Sequence, residues 1–214
     1  MEKITRDALK KALLDITDEI EANQDYLSEL DAAMGDGDHG VSMTLGWRAV
    51  AEKIKSLEDP TIADLLKTTG MALVSSVGAA MGPLYGTGFI RAAAAAGDAE
   101  SLNLSQLTKV FEAFRDGVMQ RGNAQVGDKT MVDTIVPAVD ALKGAEESGS
   151  DLISALRAFV VAAEEGMKST IPLQSKVGRS SRLGERTIGH QDAGATSCYL
   201  IFKTFARSVA GGSL

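Results

Sequence analysis

The fold turns on ITRDALKKALLDITDEIEANQDYLSELD, residues 4–31. Ile4, Ala8, Leu9, Leu13, Ile16, Ile20, Leu27 and Leu30 recur at the 3.6-residue spacing of one helix face. That spacing predicts a helix running almost to Asp31, with a break near Asn23. The same signature continues along the chain. Met43, Trp47, Val50 and Ile54 form a second stripe. A third starts at Thr61, just after Pro60, and carries Ile62, Leu65, Leu66, Leu73 and Val77. Residues 84–96 are rich in alanine, suited to close packing or to lining an interior.

Ser105 is the expected N-cap for Leu107, Val110, Phe111, Phe114 and Val118. Asp128 is the expected cap for Met131, Ile135, Val136, Val139 and Leu142, with Pro137 a candidate kink. Asp151 opens Leu152, Leu156, Phe159, Val160, Ala163 and Met167, and the last stripe is Tyr199, Leu200, Phe202, Phe205, Ala206 and Val209. This makes about eight amphipathic helices and no alternating strand. The class is all-α. No internal repeat or low-complexity linker divides the chain, and residues 143–150 suit a helix–helix connection, so 1–214 reads as a single domain.

Composition narrows the function. With 44% hydrophobic and 24% charged residues the chain is an ordinary globular one, not a disordered one. Its 22 basic and 29 acidic residues leave a net charge of −7, spread along the sequence, which argues against sequence-independent nucleic-acid binding. The single Cys198 excludes an internal disulfide and a cysteine-based zinc site, and fits a reducing compartment. No apolar stretch follows the charged N-terminus, and the apolar run at 92–96 is too short to span a bilayer, so no membrane association and a cytoplasmic location are expected.

Glycines gather between the helical stripes, and both histidines, His39 and His190, lie among them. Such clusters serve as turns, or as loops that present polar groups. The most telling is LDAAMGDGDHG at 30–40. Asp31, Asp36 and Asp38 fall within eight residues, with no basic side chain between them. Carboxylates held together repel unless a cation lies among them, and hard oxygen ligands suit Mg²⁺ or Ca²⁺. The EF-hand pattern fails, because the loop is short and lacks the twelfth-position acid. A solvated acidic turn is the plainer reading, and metal binding explains more of the pattern.

The opposite sign appears in KVGRSSRLGERTIGHQD at 176–192, with four basic residues against two acidic. A polar, glycine-rich loop of this length is either solvated surface or a lid. With a carboxylate cage it forms what a metal-bridged phosphate needs, the metal joining anion to anion while arginine forks hold the oxygens. Residues 75–83 and the run Gly40, Val41, Ser42 could add backbone donors at helix starts, although close packing explains their small side chains equally well.

GNAQVGDKT at 122–130 imitates a P-loop with one residue too many before Lys129. It follows a helix instead of a strand, and the insertion moves the lysine off the phosphates, so it is not a P-loop, though it can border a nucleotide. Cys198 sits in an apolar stripe and reads as core, and no serine elbow is evident. Nucleophilic catalysis has little support.

Four stretches, LDAAMGDGDHG (30–40), SSVGAAMGPLYGTGFIRAA (75–93), RGNAQVGDKTMVD (121–133) and GRSSRLGERTIGHQDAGATS (178–197), together resemble the nucleotide-binding L subunits of dihydroxyacetone kinase, the DhaL family, in order and spacing over essentially the whole chain. The resemblance implies an antiparallel eight-helix barrel with the nucleotide site at one end. It implies two Mg²⁺ ions on Asp31, Asp36 and Asp38. It also implies ADP or ATP contacts from His39, Gly40, Val41 and Ser42; from Ala80 and Met81; from Gly122 and Met131; and from Arg179, Asp192, Ala193 and Gly194. Arg179 would neutralise charge on the transferred group, and His39 would touch phosphate without acting as a nucleophile.

In the subunit form of the family, bound ADP takes a phosphoryl group from a phosphohistidine protein (DhaM) of the phosphoenolpyruvate phosphotransferase system. It passes the group to dihydroxyacetone on a K subunit (DhaK). Two other readings remain at this stage: a non-catalytic Mg-nucleotide sensor that regulates a protein partner, and a kinase subunit for another small keto-sugar.

Overall fold

Thr5 starts the first helix by accepting a hydrogen bond from the Ala8 N–H at 3.2 Å, which satisfies one of the orphan donors of a helix start. In the computed structural model, which describes residues 2–78, 80–212 and 214, this helix is α1 (Arg6–Ala22) and buries Leu9, Leu13, Ile16 and Ile20. It stops at Asn23, whose side chain turns back to donate to the Glu19 carbonyl at 2.8 Å. The chain resumes as α2 (Gln24–Ala32). The break predicted near Asn23 is real.

The remaining stripes form α3 (His39–Lys55), α4 (Ile62–Ser76), α5 (Met81–Ala96), α6 (Leu104–Gly122), α7 (Val132–Glu147), α8 (Leu152–Ser169) and α9 (Ala193–Val209). Thr61 and Asp64 form a capping box on α4, and Asp151 caps α8 through the N–H groups of Ile153 and Ser154. Two starts differ from expectation. Asn103, not Ser105, caps α6, because Gln106 three residues later returns the bond to the Asn103 N–H. At α7 the Asp128 carboxylate is turned to the Gln125 N–H, and Asp133 from the first turn reaches back to the N–H groups of Gly127 and Thr130 at 2.6 and 2.8 Å. Pro137 lies inside α7 without ending it.

Three helices begin before their apolar stripes do: α3 at His39, α5 at Met81 and α9 at Ala193. The first turns of α3 and α9 hold glycine, small and polar residues that leave no apolar period to detect, and α5 opens on Met81, Gly82 and Pro83, whose glycine and proline read as a turn. The polar 176–192 loop also has more order than its composition announces, with two 3-10 turns over Ser180–Thr187 divided by a kink at Gly184, whose φ is +57°. Ile4–Thr5 pairs antiparallel with Ser101–Leu102, and these two-residue strands are the only ones among the described residues.

Successive packing runs from α1 to α3, then α4, α5, α6, α7, α8 and α9, and α9 packs back on α1. This closes a ring of eight, with α2 laid over α3 and α9. The first residues of α3, α5, α7 and α9 line one cavity, so ring neighbours alternate in direction, and an even number lets the closure be antiparallel as well. The starts of α3, α5, α7 and α9 therefore share one end of the barrel.

The barrel interior is aromatic. Phe111 meets Phe159, Phe202 and Phe205 with ring centroids 4.7, 5.4 and 5.4 Å apart. A small apolar cavity of about 40 Å³ lies among Leu13, Phe89, Phe111 and Phe202. The small residues of α5 permit close approach: a Cβ on Gly70 of α4 would fall 2.8 Å from the Gly86 carbonyl. Among the described residues no helix is long and apolar enough to cross a membrane.

Candidate functional site

The acidic stretch folds into a tight cup. Asp31 ends α2, and the chain turns back so closely that a Cβ on Gly35 would sit 2.6 Å from an Asp31 carboxylate oxygen. Gly37 takes a φ of +76°, a region open to glycine. Asp36 and Asp38 are thereby swung beside Asp31, and one oxygen from each of the three lies within 4.8 Å of the others. The His39 N–H points at the Asp31 carboxylate at 3.4 Å. Asp31 is partly covered while Asp36 and Asp38 are exposed. Three hard oxygens converging with open faces fit a divalent cation such as Mg²⁺.

Charge relief arrives from far along the chain. Arg179 pairs with Asp36, 143 residues away, and lies 3.6 Å from Asp38. The basic loop and the acidic cup, read separately in the sequence, are one place. Beside them opens a cavity of about 390 Å³. Its wall includes the first residue of four helices: His39 of α3, Met81 of α5, Val132 of α7 and Ala193 of α9. Helix N-termini carry partial positive charge, so four converging starts favour an anion, and the Asp31 and Asp192 carboxylates already face the first turns of α3 and α9.

Most of the residues singled out in the sequence line this cavity. Asp31, Asp36, Asp38 and Arg179 stand on one side of it. Ala80, Gly122 and Met131 contribute further wall, as do Asp192 and Gly194. Gly40, Val41 and Ser42 do not reach the lining. Gly40 is buried against α2, where a Cβ would fall 1.9 Å from the Gln24 carbonyl, and Val41 faces outward. The Ser42 N–H is bonded to the Asp38 carbonyl at 2.9 Å. Ala79, inside the 75–83 stretch, lies outside the described residues.

His39 is buried, and that burial pushes its imidazole down to about 4, with Asp38 pulling weakly the other way. It is neutral near pH 7. Its Nε2 lies 3.0 Å from the Ser197 hydroxyl, which also lies 3.1 Å from the Tyr85 hydroxyl and donates to the Gly194 carbonyl at 3.1 Å. Ser197 has one proton. Once that proton goes to Gly194, its oxygen accepts from Tyr85 and from Nε2–H, which leaves Nδ1 as the free acceptor of the ring.

Asp192 caps α9 through the Ala195 N–H at 2.7 Å. Burial pushes its carboxyl up to about 6; the Ala195 N–H and Lys129 oppose this, and Asp133 and Asp31 add repulsion.

Sequence reasoning set Lys129 aside and missed three residues here: Asp133, Ser197 and Tyr85. Lys129 is fully buried at the wall of the cavity, with its ammonium on the Thr170 and His190 carbonyls. Nothing local flags Ser197 or Tyr85. Asp133 was discoverable as the acid three residues after Thr130 at a helix start.

The class of protein is a closed helical barrel that gathers an acidic cup, an arginine loop and four helix starts at one end. Residues 33–207 match the DAK2 domain, and the chain belongs to that family.

Among its relatives, the ADP-binding subunit DhaL of the phosphoenolpyruvate-dependent dihydroxyacetone kinase of Escherichia coli is 47% identical over 182 residues, covering 85% of this chain and 87% of that one. DhaL of the phosphotransferase-system-dependent enzyme of Lactococcus lactis is 36% identical over 210 residues, covering 97% of this chain and 100% of that one. The dihydroxyacetone kinase of C. freundii, solved in complex with AMP-PNP and Mg²⁺, superposes with a TM-score of 0.71 at 24% identity. It shares the fold. This chain is covered to 97% but spans only 35% of that kinase.

Proposed function

We infer that this chain is the ADP-binding subunit of a phosphoenolpyruvate-dependent dihydroxyacetone kinase. The observation that carries the reading is the convergence of the Asp31, Asp36 and Asp38 oxygens, Arg179 and four helix starts on one cavity, in a chain whose DhaL relatives match along most of their length. Bound there, Mg-nucleotide supplies the relay, taking a phosphoryl group from a phosphohistidine protein (DhaM) and giving it to dihydroxyacetone on a K subunit (DhaK).

Asp31, Asp36 and Asp38 would hold the metal, as two Mg²⁺ ions, leaving the diphosphate to complete their coordination. The starts of α3, α5, α7 and α9 orient the phosphates through N–H groups and aligned dipoles. Arg179 offers a planar fork to the oxygens of the group in transit and neutralises charge that develops on them. His39, its ring held at Nε2 by Ser197, serves the phosphate end through its backbone place at the start of α3, since the free Nδ1 is an acceptor. Met81, Gly122 and Met131 form further wall, suited to the base. Asp192, Ala193 and Gly194 close the floor at α9. The 176–190 loop covers the site and keeps water from the transfer.

Phosphoryl transfer asks chiefly for alignment and charge neutralisation, so a site without a general base is sufficient. A cytoplasmic location suits this partnership.

The test is reconstitution. The chain, the phosphohistidine donor, the K subunit, Mg²⁺ and catalytic ADP should convert dihydroxyacetone to its phosphate at the expense of phosphoenolpyruvate. Absence of product with every component present and active would overturn the reading.

A further inference from the structure

The segment that carries Arg179 leaves α8 after Thr170 and returns at Asp192, and its two ends are tied together. The Gly189 N–H donates to the Ile171 carbonyl at 2.8 Å. The Asp192 N–H donates to the Thr170 hydroxyl at 3.1 Å. A third tie comes from outside the loop. The Lys129 ammonium donates to the Thr170 carbonyl at 2.6 Å and also to the His190 carbonyl, so one side chain grips both ends.

Lys129 is an unusual residue to find there. It is 1% exposed, and its φ of +62° lies in the left-handed region that non-glycine residues avoid. A buried ammonium in a strained backbone persists only where its surroundings over-determine it. The Asp192 and Asp133 carboxylates supply its counter-charge.

We propose that Lys129 is a positioning residue for phosphoryl transfer, pinning the neck of the 171–191 loop so that Arg179 is delivered to Asp36 and Asp38. The proposal rests on the functional reading above. Its logic is entropic: a loop whose ends are joined at a fixed neck explores far less space than one hinged at separate points. Arg179 is held to the cup by two exposed ion pairs, to Asp36 and to Asp38, each weak by itself. The neck keeps that guanidinium close to its target, together with the contacts that Lys176, three residues before Arg179, makes to Asp128.

The experiment compares Lys129→Met, which keeps length and removes the donors, with the unsubstituted chain in the reconstituted transfer assay. Transfer should slow at least tenfold while the calorimetric Kd for ADP with Mg²⁺ moves less than threefold. Trypsin should cut faster at Arg179, Arg182 or Arg186. In an Arg179→Ala background, Lys129→Met should slow transfer no further, whereas a general loss of stability would multiply the two defects.

Thr170→Val, isosteric and without the hydroxyl that receives the Asp192 N–H, should shift both readouts in the same direction, and it decides the matter if Lys129→Met does not fold. Unchanged transfer and an unchanged tryptic pattern, or multiplying defects in the double variant, would overturn the neck. If the unsubstituted chain itself transfers nothing, the functional reading fails, and the tryptic pattern with ADP binding still decides whether Lys129 restrains the loop.

Discussion

At the scale of single residues, the site depends on charges that repel each other. Asp36 and Asp38 are a little over half exposed, at 55% and 54% for their side chains, and sit in a loop outside the core. Asp36→Ala should therefore leave the helical circular dichroism unchanged and reduce ADP retention in Mg²⁺ to the level seen in EDTA. Retention measured after gel filtration decides it, and a variant that keeps its nucleotide would show that Asp36 is no ligand.

Asp192 gives a pH prediction. Its carboxyl is pushed from 3.8 to about 6, chiefly by burial. The native state thus binds a proton that the unfolded chain releases, and the stability from this group is full below about 4 and lost as pH rises through about 6. His39, held down to about 4, acts in the opposite sense: its contribution is full above about 6.5 and lost as pH falls through about 4. Asp192→Asn keeps the capping oxygen and abolishes the first effect, while leaving Asp133 as the remaining counter-charge of Lys129. In melts of the nucleotide-free protein the variant should be more stable than the original at pH 7–8, by no more than about 3 kcal/mol. The advantage should vanish by pH 4.

Asp31, Asp36, Asp38 and Arg179 were legible because their chemistry is dense within short stretches. Lys129 was legible only as a misfit, since its partners are 41 and 61 residues away. Ser197 and Tyr85, 112 residues apart, had no signal at all.

At the scale of elements, positions within the helices were readable from apolar spacing and the starts were not. Ser105 and Asp128 looked like caps by residue type, yet Asn103 and Asp133 make the bonds, because a cap is chosen by reciprocal geometry more than by type. The first turns of α3, α5 and α9 escaped the pattern for the reason that makes them useful: they expose backbone. Gly40 shows how tightly one of these turns is fitted. Its missing Cβ lets α3 lie on the α2 carbonyl of Gln24. Gly40→Ala must push α3 away from α2, and with it the loop that carries Asp36 and Asp38. Overpacking of this kind costs about 1–3 kcal/mol, which for a chain of this size lowers Tm by roughly 3–10 °C. Melting curves and ADP affinity should fall together. A variant as stable as the original would mean that the α2–α3 contact yields freely.

At the scale of the molecule, the closed ring explains why the site exists. Eight alternating helices place four N-termini at one end, where their partial charges oppose one another until an anion joins them. A ligand bound there ties α3, α5, α7 and α9 to the α2 cup and to the arginine loop. ADP with Mg²⁺ at a hundredfold excess over Kd should stabilise the fold by about 2.7 kcal/mol, or roughly 5–10 °C in Tm. EDTA should remove the shift. A Tm indifferent to ADP and Mg²⁺ would mean that the two do not bind the folded chain at this end.

Helical content, the carboxylate trio and the basic stretch followed from residues near one another in the chain, where spacing and side-chain chemistry act without help from the fold. Closure of α9 on α1, the pairing of Arg179 with Asp36 and the Lys129 staple were settled only by tertiary packing. These contacts join positions dozens of residues apart, and their stability depends on burial and distance, quantities that exist only after the ring has formed.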